Sequence, residues 1–195
     1  MLNFSESCAR NQQVIYDQLL PWLEQSQNVL EIGSGSGQHA LHFCSQLPKL
    51  QWQCADRDMW LNALAINIQN AELENIKAPI ELDVNGSWPN AQYDLIYTAN
   101  SLHIMSWQSV QNLFANLANC LHNGGYFCCY GPFKYAGEFT SSSNENFEQW
   151  LKNRNNESGI RDFEAIEILA NAQQLHLVTD ISMPANNQLL IWKKA

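Results

Sequence analysis

The sequence predicts an α/β fold, with helices covering both faces of a mainly parallel β-sheet. Short apolar runs alternate with segments of helical period along most of the chain, an order that is typical of parallel sheets. A glycine-rich turn at 33–37 directly follows the first apolar run. The run at 93–99 is almost continuously apolar, as expected of a strand that is buried on both faces.

Two units of strand, turn and helix follow an initial helix in the first half of the chain. Apolar residues recur at helical spacing from residue 6 to 25, and Pro21 breaks or restarts that helix. The period then changes, which predicts strands at 28–32 and 50–55 and helices at 38–47 and 58–72. Each helix follows a strand directly, and this order favours parallel neighbours.

The second half continues the alternation and ends in a hairpin. We expect strands at 79–82, 93–99 and 126–130, and a helix from the N-cap Ser106 to about 121 that the run 122–125 ends. A helix at 162–172 precedes two last strands, at 175–182 and 188–193. Their connection, residues 184–187, is too short for a helical crossover, so we expect the last of seven strands to pair antiparallel.

The length of 195 residues is typical of one domain, and we expect residues 1–195 to form a single one. Between 133 and 160 the periodicity weakens around several Ser and Asn residues, with a short possible helix at 144–152. Long segments with little regular structure are usually functional or disordered. We therefore expect this insertion to be a mobile flap over the functional site.

Charge and composition disfavour several classes of protein. Lys and Arg number 10 against 19 Asp and Glu, a net charge of -9 that would repel a phosphate backbone, so we expect no nucleic-acid partner. No apolar run is long enough for a membrane span, and the N-terminal residues lack a basic or apolar leader, so we expect a cytoplasmic protein. The six cysteines lack C-x-x-C spacing, which favours free buried thiols. We expect no metal site, because His39 and His42 have no Cys or carboxylate partner nearby.

Gly33, Gly35 and Gly37 lie directly after the first predicted strand. In open parallel sheets, ligands bind beyond the carboxyl ends of the strands, next to the first strand. The dinucleotide pattern Gly-x-Gly-x-x-Gly would need its last glycine at position 38, where the chain has Gln38. The spacing disfavours a nicotinamide cofactor, and an ordinary strand-to-helix turn is the alternative to a ligand-binding loop.

Acidic residues end the next two predicted strands. Asp56 lies about 20 residues past the glycines, where a carboxylate can accept hydrogen bonds from a ribose diol. Asp83 ends the third strand. Each of the two could instead cap the segment that follows it. Acids at successive strand ends, beside a glycine turn, favour a cofactor that contains a nucleoside.

The run Glu31-x-Gly-x-Gly-x-Gly37 resembles motif I of the class I S-adenosylmethionine-dependent methyltransferases. The resemblance implies a Rossmann-like class I methyltransferase fold with S-adenosyl-L-methionine as cofactor. It also implies that Asp83 lies against the adenine amine and Asn100 at the cofactor's amino-acid end. The implied cofactor residues are Glu31, Gly33, Ser34, Gly35, Gly37, Asp56, Arg57, Asp83, Val84 and Asn100.

Seven runs spread over the chain are similar to an uncharacterised methyltransferase family, catalogued as domain of unknown function 938. They are Ala9–Asn11, Gly35–Ala40, Ala99–Ile104, Tyr130–Lys134, Ser143–Asn144, Gly159–Asp162 and Met183–Asn187. The chain departs from the family pattern at Ala9 and Gln12, where charged residues are expected, and at Tyr135 and Ala136, where polar residues are expected. The resemblance names no substrate, and these departures allow for a different one.

The remaining candidate residues point to a methyl acceptor. His103 follows the fourth strand and is either a general base, since an imidazole titrates near neutral pH, or a positioning residue. An aromatic and amide lining around one arginine suits a small polar or anionic acceptor; alternatively, Arg161 and Asp162 pair with each other. The expected acceptor-site residues are Arg10, Asn11, His103, Trp107, Tyr130, Phe133, Arg161 and Asn186. A binding protein without turnover and a nicotinamide enzyme are the alternatives to a methyltransferase.

Overall fold

A computed structural model describes all residues, 1–195, and contains ten β-strands. Their bounds are β1 Asn28–Ile32, β2 Gln51–Asp56, β3 Ile80–Glu81, β4 Tyr93–Ala99, β5 Leu121–Gly131, β6 Phe133–Tyr135, β7 Glu138–Phe139, β8 Arg161–Asp162, β9 Leu175–Met183 and β10 Asn187–Lys194. Seven strands form one sheet in the order β3-β2-β1-β4-β5-β10-β9. Only β10 runs antiparallel to its neighbours β5 and β9. The predicted seven-stranded, mostly parallel sheet is confirmed.

Six α-helices surround this sheet: α1 Glu6–Leu23, α2 Gln38–Gln46, α3 Asp58–Ala71, α4 Trp107–Leu117, α5 Ser142–Arg154 and α6 Phe163–Ala172. The hydroxyl of Ser106 accepts a hydrogen bond from the Ser109 N–H (3.1 Å), which confirms it as the N-cap of α4. None of the six helices is long and apolar enough to cross a membrane.

Successive side chains of each central strand point to opposite faces of the sheet, which gives two apolar cores. On one face Val29 and Trp52 pack with residues of α1, α2 and α3, such as Phe43. On the other face Leu30 and Phe127 pack with residues of α4 and α6. Helices therefore cover both faces, as predicted. All six cysteines are free, and all except Cys8 are buried.

The boundary between α4 and β5 differs from the prediction. The helix ends at Leu117 rather than near 121, a 3-10 turn spans Ala118–Cys120, and β5 begins at Leu121, so the run expected to end the helix lies within the strand. The Lys194 ammonium donates to the carbonyl oxygens of Ala118 (2.6 Å) and Leu121 (2.8 Å). This contact joins residues more than seventy positions apart, so no local sequence pattern predicts it.

Residues 133–160 contain more regular structure than the weak periodicity predicts. β6 pairs antiparallel with β7 and parallel with β8, forming a separate three-stranded sheet. The helix expected at 144–152 is part of the longer α5, whose N-cap Ser141 accepts a hydrogen bond from the Asn144 N–H at 3.2 Å. Strands of two or three residues are too short to show a period in the sequence.

Candidate active site

The glycine loop joins the carboxyl end of β1 to α2. Its three glycines have left-handed φ angles of 75° (Gly33), 56° (Gly35) and 81° (Gly37), which side chains other than glycine rarely adopt. The N–H groups of Gly33 and Ser34 donate to the Ala55 carbonyl at 2.9 and 3.1 Å. The loop is therefore fixed to the end of β2.

The space beside each glycine differs. A Cβ at Gly33 would lie 2.7 Å from the Ser101 hydroxyl oxygen, and one at Gly37 would lie 2.9 Å from a methyl carbon of Leu64. No atom lies within 4 Å of the corresponding position at Gly35. Two of the glycines therefore permit close packing, whereas Gly35 exposes backbone to open space that a ligand can enter.

Asp56 lies directly against this loop. Its carboxylate accepts hydrogen bonds from the N–H groups of Gly35 (2.7 Å) and Arg57 (2.8 Å). Burial raises the pKa of Asp56, and these two hydrogen bonds oppose the rise. The acid at the end of β2 and the glycine loop after β1 thus form one continuous polar edge.

The other expected cofactor residues occupy the neighbouring strand ends. Asp83, just after β3, is exposed and accepts the N–H of Asn85 at 2.8 Å, while Val84 is buried. Asn100 follows β4 with a left-handed φ of 55°, and its N–H donates to the Tyr130 carbonyl at 2.8 Å. Ser34 and Arg57 belong to the glycine loop and the end of β2, so the sheet order places all of these residues along the same edge.

The carboxylate of Glu31, another expected cofactor residue, is buried and faces the interior between β2 and α2. Its carboxylate accepts the indole N–H of Trp52 at 3.1 Å and lies 3.9 Å from Nδ1 of His39. Burial raises the pKa of Glu31 to about 7, and the Trp52 hydrogen bond opposes the rise. Glu31 therefore supports the loop from below.

His39 connects this buried carboxyl to the candidate site. Its Nε2–H donates to the amide oxygen of Asn11 at 2.9 Å, and the Tyr97 hydroxyl lies 3.4 Å from Nδ1. Burial lowers the pKa of His39 to about 4, so the ring is neutral at neutral pH. The sequence gives His39 no role, although its place one turn before Phe43 on α2 puts it on the buried face of that helix.

A cavity of about 690 Å³ lies beside the end of β4. The start of α1, the loop after β4, the end of β5, one face of α5 and the β9–β10 connection enclose it. Among the residues expected at an acceptor site, the structure brings four to this cavity together with Asn100: Arg10, Asn11, His103 and Tyr130.

The other four expected acceptor residues do not line the cavity. Phe133 is buried in the core shared with α4 and α6. Trp107 lies at the start of α4. The Arg161 guanidinium lies over its indole ring, 5.9 Å from the ring centre. Asn186 donates to the Ser143 hydroxyl at 3.1 Å and accepts from the Asn144 amide at 2.9 Å, which ties the β9–β10 connection to α5.

Arg161 has a structural role instead. Its guanidinium donates to the carbonyl oxygens of Leu102, Met105 and Glu157 and so holds the loop after β4. The alternative pairing with Asp162 is absent: no Arg161 nitrogen lies within 4 Å of the Asp162 carboxylate, which instead accepts the N–H of Gly137 at 2.8 Å.

His103 is only 6% exposed, and the expectation that it titrates near neutral pH needs correction. Burial lowers its pKa to about 4, and the nearby positive charge of Arg161 adds to the effect. Its ring meets the edge of Phe147 at 5.3 Å between centroids. His103 is therefore neutral at physiological pH and only a weak proton acceptor.

Helix α5 supplies cavity residues that the sequence did not suggest. Phe147 and Trp150 stack with centroids 5.6 Å apart, and the Arg154 guanidinium lies 5.0 Å from the Trp150 ring centre. The cavity face of the helix consists of Ser143, Asn144, Phe147, Trp150, Leu151 and Arg154. Their spacing of three and four residues was the available signal, and it is visible only once the helix is known to extend to Arg154.

Residues 2–194 match the family described as "Protein of unknown function (DUF938)". The chain is a DUF938 protein. Because the match spans nearly the whole chain, the resemblance found in its sequence motifs is confirmed.

Solved structures of methyltransferases share the fold of the DUF938 protein. An O-methyltransferase family protein from Burkholderia thailandensis superposes with a TM-score of 0.85 at 15% identity, covering 97% of this chain and 58% of that one. Human N-acetylserotonin methyltransferase, in complex with S-adenosylmethionine, gives 0.81 at 15% identity, with 97% and 53% covered. An O-methyltransferase family 2 protein from Planctomyces limnophilus, in complex with apigenin, gives 0.76 at 15% identity, with 94% and 62% covered.

These likenesses establish a class I methyltransferase fold. The DUF938 protein spans little more than half the length of each of the three chains. At 15% identity the shared fold does not specify a reaction, so activity has to be inferred from the site itself.

Proposed function

We propose that the DUF938 protein is an S-adenosylmethionine-dependent methyltransferase that acts on a small organic acceptor. The observation that supports this most strongly is the contact of 2.7 Å between the Gly35 N–H and the Asp56 carboxylate, at the strand ends beside the cavity. An exposed glycine backbone and an acid at adjoining strand ends suit the two ends of a nucleoside cofactor. Asn100 borders both this edge and the cavity, which suits transfer between two ligands.

The residues along the strand edge are suited to such a cofactor. The carboxylate of Asp56 can accept hydrogen bonds from the ribose hydroxyls, and Asp83 can accept one from the adenine amine. Gly35 leaves open space where the amino-acid end would approach the backbone. Glu31 keeps this loop in place from the buried side.

The residues of the chain contribute mainly binding and alignment to the proposed reaction. When bound, the cofactor supplies a methyl group whose bond to the sulfonium breaks as the acceptor atom bonds to it. Asn100 and Tyr130 line the cavity at the carboxyl ends of β4 and β5, where they can hold the two reactants in line. Neutral His103 can accept a hydrogen bond from the acceptor and orient it, while the acceptor's proton passes to solvent.

A transfer assay tests this proposal. The protein is incubated with S-adenosylmethionine carrying a labelled methyl group and a cell metabolite extract, with protein and RNA fractions in parallel. We expect label in a low-molecular-weight product, with matching release of S-adenosylhomocysteine, and less label with Asp56→Ala at subsaturating S-adenosylmethionine. Label confined to protein or RNA would contradict the proposal that the acceptor is a small molecule. Absence of transfer in every fraction would contradict the proposed methyltransferase activity.

A further inference from the structure

The charge of the cavity is opposite to that of the molecule. The whole chain carries a net charge of -9, with acidic residues outnumbering Lys and Arg by 19 to 10. Among the 21 residues that line the cavity, however, are Arg10 and Arg154 and no Asp or Glu. The cavity is therefore a positive region on an otherwise acidic protein.

The helix geometry produces this separation of charge. On α5 the cavity face ends in Arg154, whereas Glu145 and Glu148 lie on other faces of the helix. The Glu148 carboxylate accepts the N–H of Ile160 and is thereby held outside the cavity. On α1, Arg10 lines the cavity but Glu6 does not. Each helix thus presents one arginine to the cavity, whereas its acids, and Lys152 of α5, lie elsewhere.

Neither cavity arginine has a carboxylate partner. The only pairing of a basic with an acidic side chain within 4 Å in the whole structure is that of His39 with Glu31. Arg10 makes one long hydrogen bond of 3.4 Å to the Ser7 hydroxyl, and Arg154 lies over the Trp150 ring. Most of the N–H donors on these two side chains are free to bind an anion.

An aromatic wall lies beside Arg154 in the cavity that Arg10 also lines. Phe147 and Trp150 are stacked with their planes only 17° apart, and the neutral ring of His103 meets the edge of Phe147. Trp150 is half exposed even though it is a large apolar side chain. A flat ligand placed against this wall would cover that apolar surface.

We propose that the cavity binds a small organic anion whose carboxylate or phosphate pairs with Arg10 and Arg154 and whose flat apolar body lies against Phe147 and Trp150. The volume of about 690 Å³ matches a small molecule rather than a polymer. This inference rests on the proposed function in one respect, namely that the bound anion is the methyl acceptor.

Calorimetric titration with three related probes tests the charge preference. Naphthoate carries a carboxylate, naphthyl phosphate carries a phosphate, and naphthamide is the neutral counterpart of naphthoate. We expect at least one anion to bind about tenfold or more tightly than naphthamide, since each free arginine can supply a charge-assisted hydrogen bond. The tighter of the two anions identifies the acidic group. If neither anion binds more tightly than the amide at millimolar concentration, the proposal is wrong.

Variants that replace a cavity arginine with uncharged glutamine test where the anion binds. Arg10→Gln and Arg154→Gln are each expected to weaken the preferred anion by about fivefold to tenfold and to leave naphthamide binding unchanged. Lys49→Gln removes one positive charge from an exposed position outside the cavity and serves as the matched control. Equal losses in all three variants, or equal losses for anion and amide, would contradict the proposed contacts.

The same titrations separate this inference from the methyltransferase proposal. They are run with and without saturating S-adenosylhomocysteine. Anion preference without S-adenosylhomocysteine binding would support the anion site and contradict the proposed cofactor site. S-adenosylhomocysteine binding without anion preference would support the cofactor site and contradict the proposed anion site.

Discussion

His103 illustrates how burial decides the chemistry of a single residue. Its pKa, lowered to about 4, means that the ring is neutral at neutral pH and has little tendency to take a second proton. Its ring nitrogens have no hydrogen-bond partner among the protein's other groups, and no carboxylate orients the ring as in an acid-base pair. These properties favour a positioning residue over a general base.

The His103→Ala variant distinguishes the two roles. We expect the kcat on the true acceptor to fall by less than about tenfold, because a general base contributes about 10² to 10⁴. We also expect the pH profile to keep its shape between pH 5 and 8, since wild-type His103 stays neutral above a pKa of about 4. His103→Gln should restore much of the loss. A decrease of about 10² or more, together with loss of an acid limb near pH 4, would establish a base instead.

The proposed cofactor binding depends on the glycine loop at residues 33–37. Gly137, which lies outside this loop, is the control position for a substitution at Gly35. Both Gly35 (φ 56°) and Gly137 (φ 81°) are left-handed, with no atom within 4 Å of the position that a Cβ would take. Alanine at either position should therefore cost a similar amount of stability, roughly 1 to 2 kcal/mol, the penalty of that conformation. Only Gly35→Ala should also weaken the binding of S-adenosylhomocysteine, because only its Cβ would enter the space proposed for the cofactor.

Thermal unfolding and calorimetry of the two glycine variants check this expectation. Similar decreases in Tm, with reduced affinity confined to Gly35→Ala, are the predicted result. Unchanged affinity in Gly35→Ala would remove the loop from the cofactor site.

Residues 133–160 are predicted to move as a flap over the cavity. Within them, 152–157 form a continuous exposed stretch that includes the tryptic sites Lys152 and Arg154. Trypsin should cut here first in the free protein and more slowly with S-adenosylhomocysteine bound, because cleavage requires local opening. The exposed Lys77, outside the segment, should be cut at the same rate in both states. Equal rates at all sites would make the segment a fixed part of the surface.

At the scale of elements, sequence patterns predicted best where a strand or helix is long and buried. β4 was visible because seven residues cross the core with little interruption, and α4 because Val110, Leu113, Phe114 and Leu117 form a helical stripe. β6, β7 and β8 were missed because two or three residues show no period. The end of α4 was misplaced because Lys194, from the other end of the chain, fixes the carbonyl groups that follow it.

The candidate site shows the same division at the scale of the whole molecule. Gly35, Asp56 and Asn100 could be placed at one edge because parallel strands end together. The burial of Phe133 and the carbonyl contacts of Arg161 depend on side-chain directions that the sequence does not reveal. The cavity face of α5 depends on how that helix docks against the β9–β10 connection and the loop after β4.

The buried Glu31 couples the stability of the whole molecule to pH. Its pKa rises from 4.5 when exposed to about 7 in the fold, so the native state binds its proton more tightly than the unfolded state does. This contribution to stability is present below about pH 4.5 and is lost as pH rises through 7. Its size is about 3 kcal/mol for a fully buried group.

Glu31→Gln should remove this dependence. The free energy of unfolding of wild type, measured relative to the variant by urea denaturation, should fall as pH increases from 4.5 to about 7 and then level off. His39, whose lowered pKa acts in the opposite direction, is present in both proteins and cancels to first order. Glu74→Gln, an exposed carboxylate, is the control. A constant difference between wild type and Glu31→Gln would show that folding does not raise the pKa of Glu31.

Calorimetric titration of the whole protein with S-adenosylhomocysteine and with NAD tests the central claim most directly. We expect one S-adenosylhomocysteine per chain, bound more tightly than NAD. Asp56→Ala should weaken it by about 1.5 to 3 kcal/mol, the range for hydrogen bonds to a charged group. Tighter binding of NAD, or unchanged S-adenosylhomocysteine affinity in a folded Asp56→Ala variant, would contradict the assignment of this edge of the sheet as a methyl-donor site.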